Sequence, residues 1–326
     1  PDELAVQMGH TKAVGQAIIC GSVSNNLEVI DVDSKYSLIE GFNEIYLGIL
    51  PDTLRSRLFI VTTKSGGLHI YYRCEVIGGN TKLAQRPTTQ EERKANPADK
   101  VRVLIETRGE GGYVVAPPTN GYTVLQGSEI PVISLDERDI LLDAARSLNE
   151  VFEEVKAQRS ISAADGYSLS PFDDYNNRGQ DDMIGRLIDA GWREVWRQHD
   201  KVVFLRPGAT DSKSSGDFNF DKNWFCVFTT SSEFEPLKAY KPAAVFCKLM
   251  CNDNWQECAR QLIELGYGEQ RKQIGGNIKR DIFRKKESGA SDEDIAFFIK
   301  QKHNLANVAE AMELVNHCTT QWGDRI

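Results

Sequence analysis

The sequence has no long hydrophobic run and no leader-like beginning. No window approaches ~20 uninterrupted apolar residues, the length that a helix needs to cross a bilayer. No basic segment followed by an apolar core stands near residue 1. We therefore expect no membrane partner and a cytoplasmic location.

The cysteines are scattered along the chain, and no CxxC pair occurs. The seven cysteines are an odd number, which fits reduced thiols better than a disulfide framework. Cys247, Cys251 and Cys258 form the tightest group, with the spacing C-x3-C-x6-C in a helical pattern. Because free cysteine usually behaves as a small buried hydrophobe, we interpret these three as core thiols rather than zinc ligands.

Positive charge is not in excess. The chain has 39 Lys and Arg residues against 47 Asp and Glu, which gives a net charge of -8. This balance excludes a general polyanion binder but leaves room for local basic strips.

The chain is long enough for two or three domains, and we predict an α+β fold. Residues 1–158 alternate strands such as LEVIDV, GLHIYYR and VRVLIET with helices predicted at SLIEGFNEIYLGIL and at 136–158. We predict a polar linker at 160–171, a small α+β module within 159–270, and a wholly helical region at 271–326. The chain begins at Pro1 without a methionine, and we expect it to be part of a longer protein.

The strand LEVIDVD ends in two aspartates separated by one valine. Side chains alternate along a strand, so Asp31 and Asp33 share a face with Leu27 and Val29. Two carboxylates so close repel each other unless a cation or a proton lies between them. The pair predicts a partner elsewhere in the chain.

Two other strands of this segment carry reactive residues. Residues 63–72, TKSGGLHIYY, place a Ser-Gly-Gly turn before a histidine, and residues 105–118, IETRGEGGYVVAPP, place an acid and an arginine before a glycine-rich turn. Each stretch alone is also typical of an ordinary strand end or hairpin turn.

Together the three stretches predict a site that handles nucleotides. Asp31, Asp33 and Glu106 would supply hard oxygen ligands for two Mg²⁺ or Mn²⁺ ions, which can activate a 3′-hydroxyl and stabilise the leaving pyrophosphate. The remaining polar groups would hold the triphosphate through backbone amides, the imidazole and fixed positive charge. These are Lys64, Ser65, Gly66, Gly67, His69 and Arg108.

The series LEVIDVD, TKSGGLHIYY and IETRGEGGYVVAPPTNGY resembles the three motifs of the archaeo-eukaryotic primase superfamily. It is most similar to the bifunctional DNA primase/polymerases of phages, plasmids and prophages. The resemblance covers residues 12–135 and implies a catalytic core on an RRM-like sheet, template-directed nucleotidyl transfer and dependence on divalent metal.

The resemblance also implies roles for single positions. Asp31 and Asp33 match the family's first metal-binding pair, and His69 matches the histidine that contacts the phosphates of the incoming nucleotide. Glu106 stands where the family usually has a metal-binding aspartate, so its arm is one methylene longer. Many relatives have serine two residues before the histidine; here that position is Gly67.

Candidate contacts to DNA lie further along the chain. Arg206 and Lys213, with the aromatic residues Trp224 and Phe225, could touch single-stranded template by charge and stacking, or the aromatics could belong to an ordinary core. The basic strip 271–286 carries seven basic residues against Asp281, and could bind template or primer or be a solvated helix face. Those seven are Arg271, Lys272, Lys279, Arg280, Arg284, Lys285 and Lys286.

The segments after residue 158 resemble parts of other primases. The module at 159–270 resembles a zinc ribbon of bacterial primases without the cysteine ligands, and the helical end resembles a region that leads into a helicase domain.

The leading hypothesis is a DNA primase and DNA-directed polymerase that uses dNTP or NTP on single-stranded DNA in the replication of a mobile element. Alternatives are a catalytically inactive template-binding module and a rolling-circle nicking endonuclease. The nicking enzymes need a histidine pair and a tyrosine nucleophile, whereas only His69 lies in a motif.

Overall fold

The computed structural model describes residues 6, 14–156, 167–209, 213–270 and 276–323. One compact unit comprises Pro1–Ser160 and Pro171–Tyr267, and a second comprises Ile161–Ser170 and Gly268–Ile326. The described residues mix helices with antiparallel sheets, which confirms the predicted α+β class.

The first part of the larger unit contains nine strands and four α-helices among its described residues. The strands are β1 (Gln16–Ile19), β2 (Leu27–Val32), β3 (Phe59–Thr62), β4 (Leu68–Arg73), β5 (Lys82–Pro87), β6 (Val101–Arg108), β7 (Tyr113–Ala116), β8 (Thr123–Gln126) and β9 (Glu153–Val155). The helices are α1 (Phe42–Ile49), α2 (Asp52–Arg55), α3 (Gln90–Ala95) and α4 (Leu135–Arg146). Short 3₁₀ turns lie at Ser22–Ser24 and Ser34–Tyr36.

Six of these strands form one antiparallel sheet in the order β5-β6-β2-β4-β3-β8. Strand β2 lies inside the sheet, and its alternating side chains enter two different cores. Ile30 and Val32 belong to the larger core, which also takes in Tyr46 of α1 and Leu141 of α4. Val29 faces the opposite side, where the ribbon of β1 and β7 packs against the sheet. The odd-numbered residues of β2 therefore point away from the helices.

Two predicted helices are shorter than expected. The helix expected at SLIEGFNEIYLGIL begins only at Phe42, because the Ser37 hydroxyl accepts a hydrogen bond from the Ile39 amide and holds the preceding residues in a turn. The helix expected at 136–158 has its capping box at Ser134 and ends at Arg146. Beyond it the chain turns to pair with Gln85 and then forms β9, so tertiary strand pairing overrides helical periodicity.

The rest of the larger unit has a second six-stranded sheet, in the order β11-β12-β13-β14-β15-β9. Its own strands are β11 (Arg193–Arg197), β12 (Lys201–Leu205), β13 (Gly216–Asn219), β14 (Trp224–Val227) and β15 (Lys238–Tyr240), with β10 (Tyr167–Leu169) preceding them in the other unit. The helices are α5 (Pro171–Arg178), α6 (Gln180–Asp189), α7 (Pro242–Cys251) and α8 (Trp255–Glu264). All pairs within this sheet are antiparallel except that of β15 with β9.

Aromatic side chains fill the interior beside this second sheet. Phe225 has no exposed surface and packs edge-to-face on Trp192 and Phe204. The expectation that it contacts single-stranded DNA is therefore wrong, since a side chain enclosed in the core cannot stack on a base. The three cysteines of α7 and α8 are buried free thiols, as predicted.

The smaller unit pairs β10 with β16 (Glu269–Gln270) and continues in α9 (Gly276–Glu287), α10 (Asp292–His303) and α11 (Val308–Gly323). The three helices share a core that includes Ile282, Ile299 and Val315. Ser291 caps α10, since its hydroxyl accepts a hydrogen bond from the Asp294 amide. Of the linker predicted at 160–171, residues up to 166 lie outside the described residues, and the strand β10 lies within it.

Among the helices that the structure describes, none is both long enough and apolar enough to pass through a lipid bilayer.

Candidate active site

Strands β4, β2 and β6 bring the three motif stretches side by side. In the pairing register, Asp31 lies opposite His69 on β4 and opposite Glu106 on β6. Arg108 lies opposite Val29, two residues along the same face. Because directly opposed residues in antiparallel strands point to the same side, these side chains converge on one face of the sheet.

Asp31 is the centre of this group. Its Oδ1 lies 3.4 Å from His69 Nε2, and its Oδ2 lies 3.5 Å from Arg108 Nη2. The same Arg108 Nη2 lies 2.5 Å from Glu106 Oε1. The Asp31 and His69 side chains are 14% and 7% exposed, so both are largely enclosed by the protein.

Asp33 stands just past the end of β2. Its backbone amide donates to the Leu104 carbonyl at 2.8 Å, which ties the turn after β2 to β6. Its carboxylate pairs with Lys35, with Oδ1 3.2 Å from Nζ. Asp33 thus reaches the same region from the strand end rather than from the strand face.

The site concentrates negative charge. Burial raises the pKa of Glu106 above its ordinary value; Arg108 and Lys82 oppose this rise, and the charges on Asp31 and Asp33 add to it. Glu106 therefore feels the charges of Asp31 and Asp33, and repulsion between neighbouring carboxylates is a condition that a bound cation relieves. Their oxygen donors suit Mg²⁺ or Mn²⁺, so the residues fit the expected metal chemistry.

Arg108 lies beside two of the three carboxylates that are expected to bind metal. Its guanidinium contacts both Asp31 and Glu106. Within the part of the chain that the structure describes, no group of three His, Cys, Asp or Glu side chains is arranged to hold a metal ion. In the structure, the Arg108 guanidinium supplies a positive charge beside these two carboxylates.

The Ser-Gly-Gly turn connects β3 to β4 and packs against the end of β2. The Gly66 amide donates to the Thr63 carbonyl at 2.9 Å, and the Gly66 carbonyl accepts from Ser34 Oγ at 3.1 Å and Asn43 Nδ2 at 2.8 Å. A Cβ on Gly67 would lie 2.0 Å from the Val32 carbonyl oxygen. Only glycine allows this approach, which holds the turn beside the carboxylates.

Sequence reasoning missed several neighbours of His69. The Tyr71 hydroxyl lies 3.4 Å from His69 Nδ1, and the Tyr122 ring centroid lies 5.8 Å from that of His69. Lys64 lies against Gly121, the residue before Tyr122. The signal for Tyr71 is its position two residues after His69, which places both on one strand face. Tyr122 has no comparable local signal, since its loop reaches the site only in the folded chain.

The proposed DNA contacts of the second sheet are already engaged within the protein. Lys213 Nζ donates to the Gly48 carbonyl at 2.8 Å, and Arg206 Nη1 donates to the Pro207 carbonyl at 3.2 Å. Trp224 is half-buried, with the ammonium groups of Lys222 and Lys241 at 5.2 and 5.8 Å from its ring. These contacts use surface groups, which remain able to exchange partners.

Helix α9 carries the basic strip of the smaller unit. Arg280 and Arg284 are exposed and stand one turn apart, whereas Lys279 and Lys285 are half-buried. Lys285 Nζ lies 4.5 Å from the Phe298 ring centroid. The predicted contacts Arg271 and Lys272 lie outside the described residues.

Comparison with known proteins agrees with this geometry. No curated protein matches the chain. A family model described as bifunctional DNA primase/polymerase, N-terminal, matches residues 2–140. The match spans β2, β4 and β6 and therefore includes Asp31, His69 and Glu106. The family acts on DNA and nucleotides and normally uses divalent metal ions. Residues 2–140 are therefore similar to the N-terminal domain of bifunctional DNA primase/polymerases.

Proposed function

We propose that this chain is a template-dependent nucleotidyltransferase, a DNA primase and DNA-directed polymerase that acts on single-stranded DNA. The single observation that carries the proposal is the register of β4, β2 and β6, which aligns His69, Asp31 and Glu106 on one face. The role that we propose for it in the cell is the replication of a mobile element.

The proposed metal ligands are Asp31, Asp33 and Glu106, with two Mg²⁺ or Mn²⁺ ions. Bound there, the ions would supply activation of the primer 3′-hydroxyl and stabilisation of the leaving pyrophosphate. The chain itself would hold the carboxylates in place: Asp31 and Glu106 are fixed by strand pairing, and Asp33 by the hydrogen bond that its backbone amide donates to the Leu104 carbonyl. Such preorganisation avoids the cost of ordering the carboxylates during the reaction.

The proposed triphosphate contacts stand at the same end of the sheet. His69, Lys64 and Arg108 would supply hydrogen bonds and positive charge, and Ser65 and Gly67 would supply polar groups of the turn. The Gly66 amide already donates to Thr63, so Gly66 contributes mainly by letting the turn form. Its φ of 85° is a conformation that glycine adopts without strain.

The proposed DNA contacts are surface cations. In the larger unit these are Arg206 and Lys213, and in the smaller unit they are Lys279, Arg280, Arg284 and Lys285. Exposed arginine and lysine bind the DNA backbone through charge, without sequence preference. A helicase domain in the full-length protein and a cytoplasmic location are part of the same proposal.

The test is primer extension on a single-stranded template, with Mg²⁺ and with Mn²⁺. The double variant Asp31→Ala/Asp33→Ala should retain its fold, measured by circular dichroism, and lose extension with both metals. Asp52→Ala is the matched control, because Asp52 is an exposed acid that pairs only with Arg55 among the described residues. Undiminished extension by the double variant would end the proposal. An unprimed template supplied with labelled dNTP or NTP then separates initiation from extension.

A further inference from the structure

The 3₁₀ turn Ser34–Tyr36 follows Asp33 directly and joins two parts of the site. On one side, the Ser34 hydroxyl donates to the Gly66 carbonyl of the Ser-Gly-Gly turn at 3.1 Å. On the other, the turn carries the Asp33 carboxylate and its partner Lys35. The position of this short turn therefore sets the positions of Asp33, a proposed metal ligand, and of the Ser-Gly-Gly turn, which is proposed to hold the triphosphate.

Arg86, on β5, holds the far end of this turn. Its Nε donates to the Tyr36 carbonyl at 2.5 Å. The Arg86 side chain is 4% exposed, so the hydrogen bond is shielded from competing water. A buried charged donor on a backbone carbonyl is among the stronger hydrogen bonds in proteins.

The guanidinium is itself locked in orientation. Nη1 and Nη2 donate to the two Glu92 oxygens at 2.8 and 2.9 Å, and Nη1 also donates to the Pro87 carbonyl at 3.0 Å. Glu92 in turn completes the capping box of α3 with Thr89. The hydrogen bonds from Arg86 lead the interactions that hold the pKa of Glu92 well below its ordinary range, so Glu92 remains charged.

The contact with Tyr36 is not required by the ion pair. A bidentate pair of Arg86 with Glu92 uses Nη1 and Nη2 and leaves Nε to point elsewhere. Here Nε points at the one carbonyl that ends the turn after Asp33. The Tyr36 ring is also enclosed by cations, with Lys35 Nζ at 4.7 Å and the Arg102 guanidinium at 5.5 Å from its centroid.

We propose that Arg86 is a positioning residue: it fixes the 3₁₀ turn Ser34–Tyr36, which carries Asp33 toward the proposed metal site and holds Gly66 of the Ser-Gly-Gly turn. The inference rests on the proposed function, since it assigns Arg86 a role toward the proposed metal ligands. Arg86 itself contacts neither metal nor nucleotide. Partners that orient a metal ligand typically change metal affinity by about 10–100-fold when they are removed.

The test measures Mn²⁺ affinity directly, from the electron paramagnetic resonance signal of free Mn²⁺ in titrations without nucleotide or DNA. Arg86→Gln should weaken Mn²⁺ binding by about ten-fold. Arg146→Gln is the matched control, because Arg146 is similarly buried, pairs with Asp143 and donates to a backbone carbonyl, that of Phe228. Both variants should lower the unfolding temperature, but only Arg86→Gln should weaken Mn²⁺ binding.

A second variant separates positioning from charge. Arg86→Lys keeps a positive charge for Glu92 but cannot donate to Glu92 and Tyr36 from fixed fork positions. We expect it to recover the unfolding temperature more than the Mn²⁺ affinity. Unchanged Mn²⁺ affinity in the Arg86 variants, or an equal loss in Arg146→Gln, overturns the inference.

The same titration distinguishes failure of the inference from failure of the proposed function. If the wild type binds Mn²⁺, Asp31→Ala/Asp33→Ala does not, and the Arg86 variants match the wild type, then only the role of Arg86 is wrong. If the wild type and Asp31→Ala/Asp33→Ala bind Mn²⁺ equally, the proposed metal site itself is wrong.

Discussion

Asp31 and Glu106 lie directly opposite each other on β2 and β6, and the Arg108 guanidinium contacts both carboxylates. This arrangement makes Arg108 the internal counter-charge of the pair. We expect a metal ion that binds the same carboxylates to compete with Arg108, and a bound triphosphate to draw the guanidinium away from them.

The first prediction concerns this competition. Arg108→Gln removes a positive charge beside the carboxylates, so Mn²⁺ affinity measured without nucleotide should rise several-fold. Affinity for dNTP should fall by about ten-fold to one hundred-fold, because a charge-assisted contact to phosphate contributes roughly 1.5–3 kcal/mol. Isothermal titration with each ligand checks both. Arg57→Gln, which breaks an exposed pair with Glu137, is the control. A fall in affinity for both ligands would contradict the competition.

The second prediction concerns His69. His69→Gln should raise the KM for nucleotide by about ten-fold or more, the loss expected when a buried polar contact to the substrate is removed. Binding of Mn²⁺ should stay near the wild-type value, since the carboxylates are untouched. Steady-state primer extension separates KM from kcat. His199→Gln, at an exposed turn, should match the wild type in both. An unchanged KM would remove His69 from the triphosphate contacts.

The third prediction compares the two glycines of the Ser-Gly-Gly turn. Gly67→Ala places a methyl group 2.0 Å from the Val32 carbonyl oxygen, so the backbone must shift. We expect it to lower the free energy of unfolding by about 1–3 kcal/mol, as overpacking does, and to impair nucleotide binding. Gly66→Ala meets no atom within 4 Å and bears only the strain of its positive φ, roughly 1–2 kcal/mol.

Gly66→Asn is the companion control, because asparagine tolerates the left-handed conformation better than alanine. Urea unfolding measures stability, and nucleotide titration measures the site. Equal nucleotide affinity in Gly67→Ala and the wild type would show that the close approach of the turn to β2 is not needed.

The fourth prediction concerns the basic face of α9. Each phosphate contact to single-stranded DNA contributes about 0.7 to the slope of log K against log salt. Arg280→Gln/Arg284→Gln should therefore lower that slope by about 1.4, and weaken binding similarly for different sequences. Fluorescence anisotropy of labelled single-stranded DNA at several salt concentrations measures it. Lys286→Gln is the control, since Lys286 already pairs with Asp292 at 2.5 Å. A slope unchanged by the double variant would make this face a solvated helix surface.

The fifth prediction concerns pH. Burial raises the pKa of Asp143 to about 6, although Arg146 and Thr229 act in the opposite direction. The folded protein therefore binds this proton more tightly than the unfolded chain, and the contribution of Asp143 to stability is lost as pH rises from about 4 to about 6. Over that window, the free energy of unfolding should fall more steeply for the wild type than for Asp143→Asn. Equal slopes in urea unfolding at pH 4, 5, 6 and 7 would contradict this.

Much of the sheet that contains β2, β4 and β6 could be predicted from local sequence. The strands that became β2, β4 and β6 carry β-branched residues between turn signals, and alternation alone assigns Asp31 to the face opposite Ile30. The polar strand β5 and the short β9 have no such pattern. They form because a neighbouring strand offers backbone partners: β6 pairs with β5, and β15 pairs with β9.

Sequence by itself determined the class of the fold and the chemistry of each motif strand, because strand alternation and glycine turns are properties of neighbouring residues. Only the tertiary structure decided that β2 lies between β4 and β6, that Arg108 contacts both carboxylates, and that Phe225 is enclosed in a core. The same holds for Arg86, whose contact with Tyr36 spans 50 residues. Such relationships depend on pairing and packing between distant segments, and no local pattern records them.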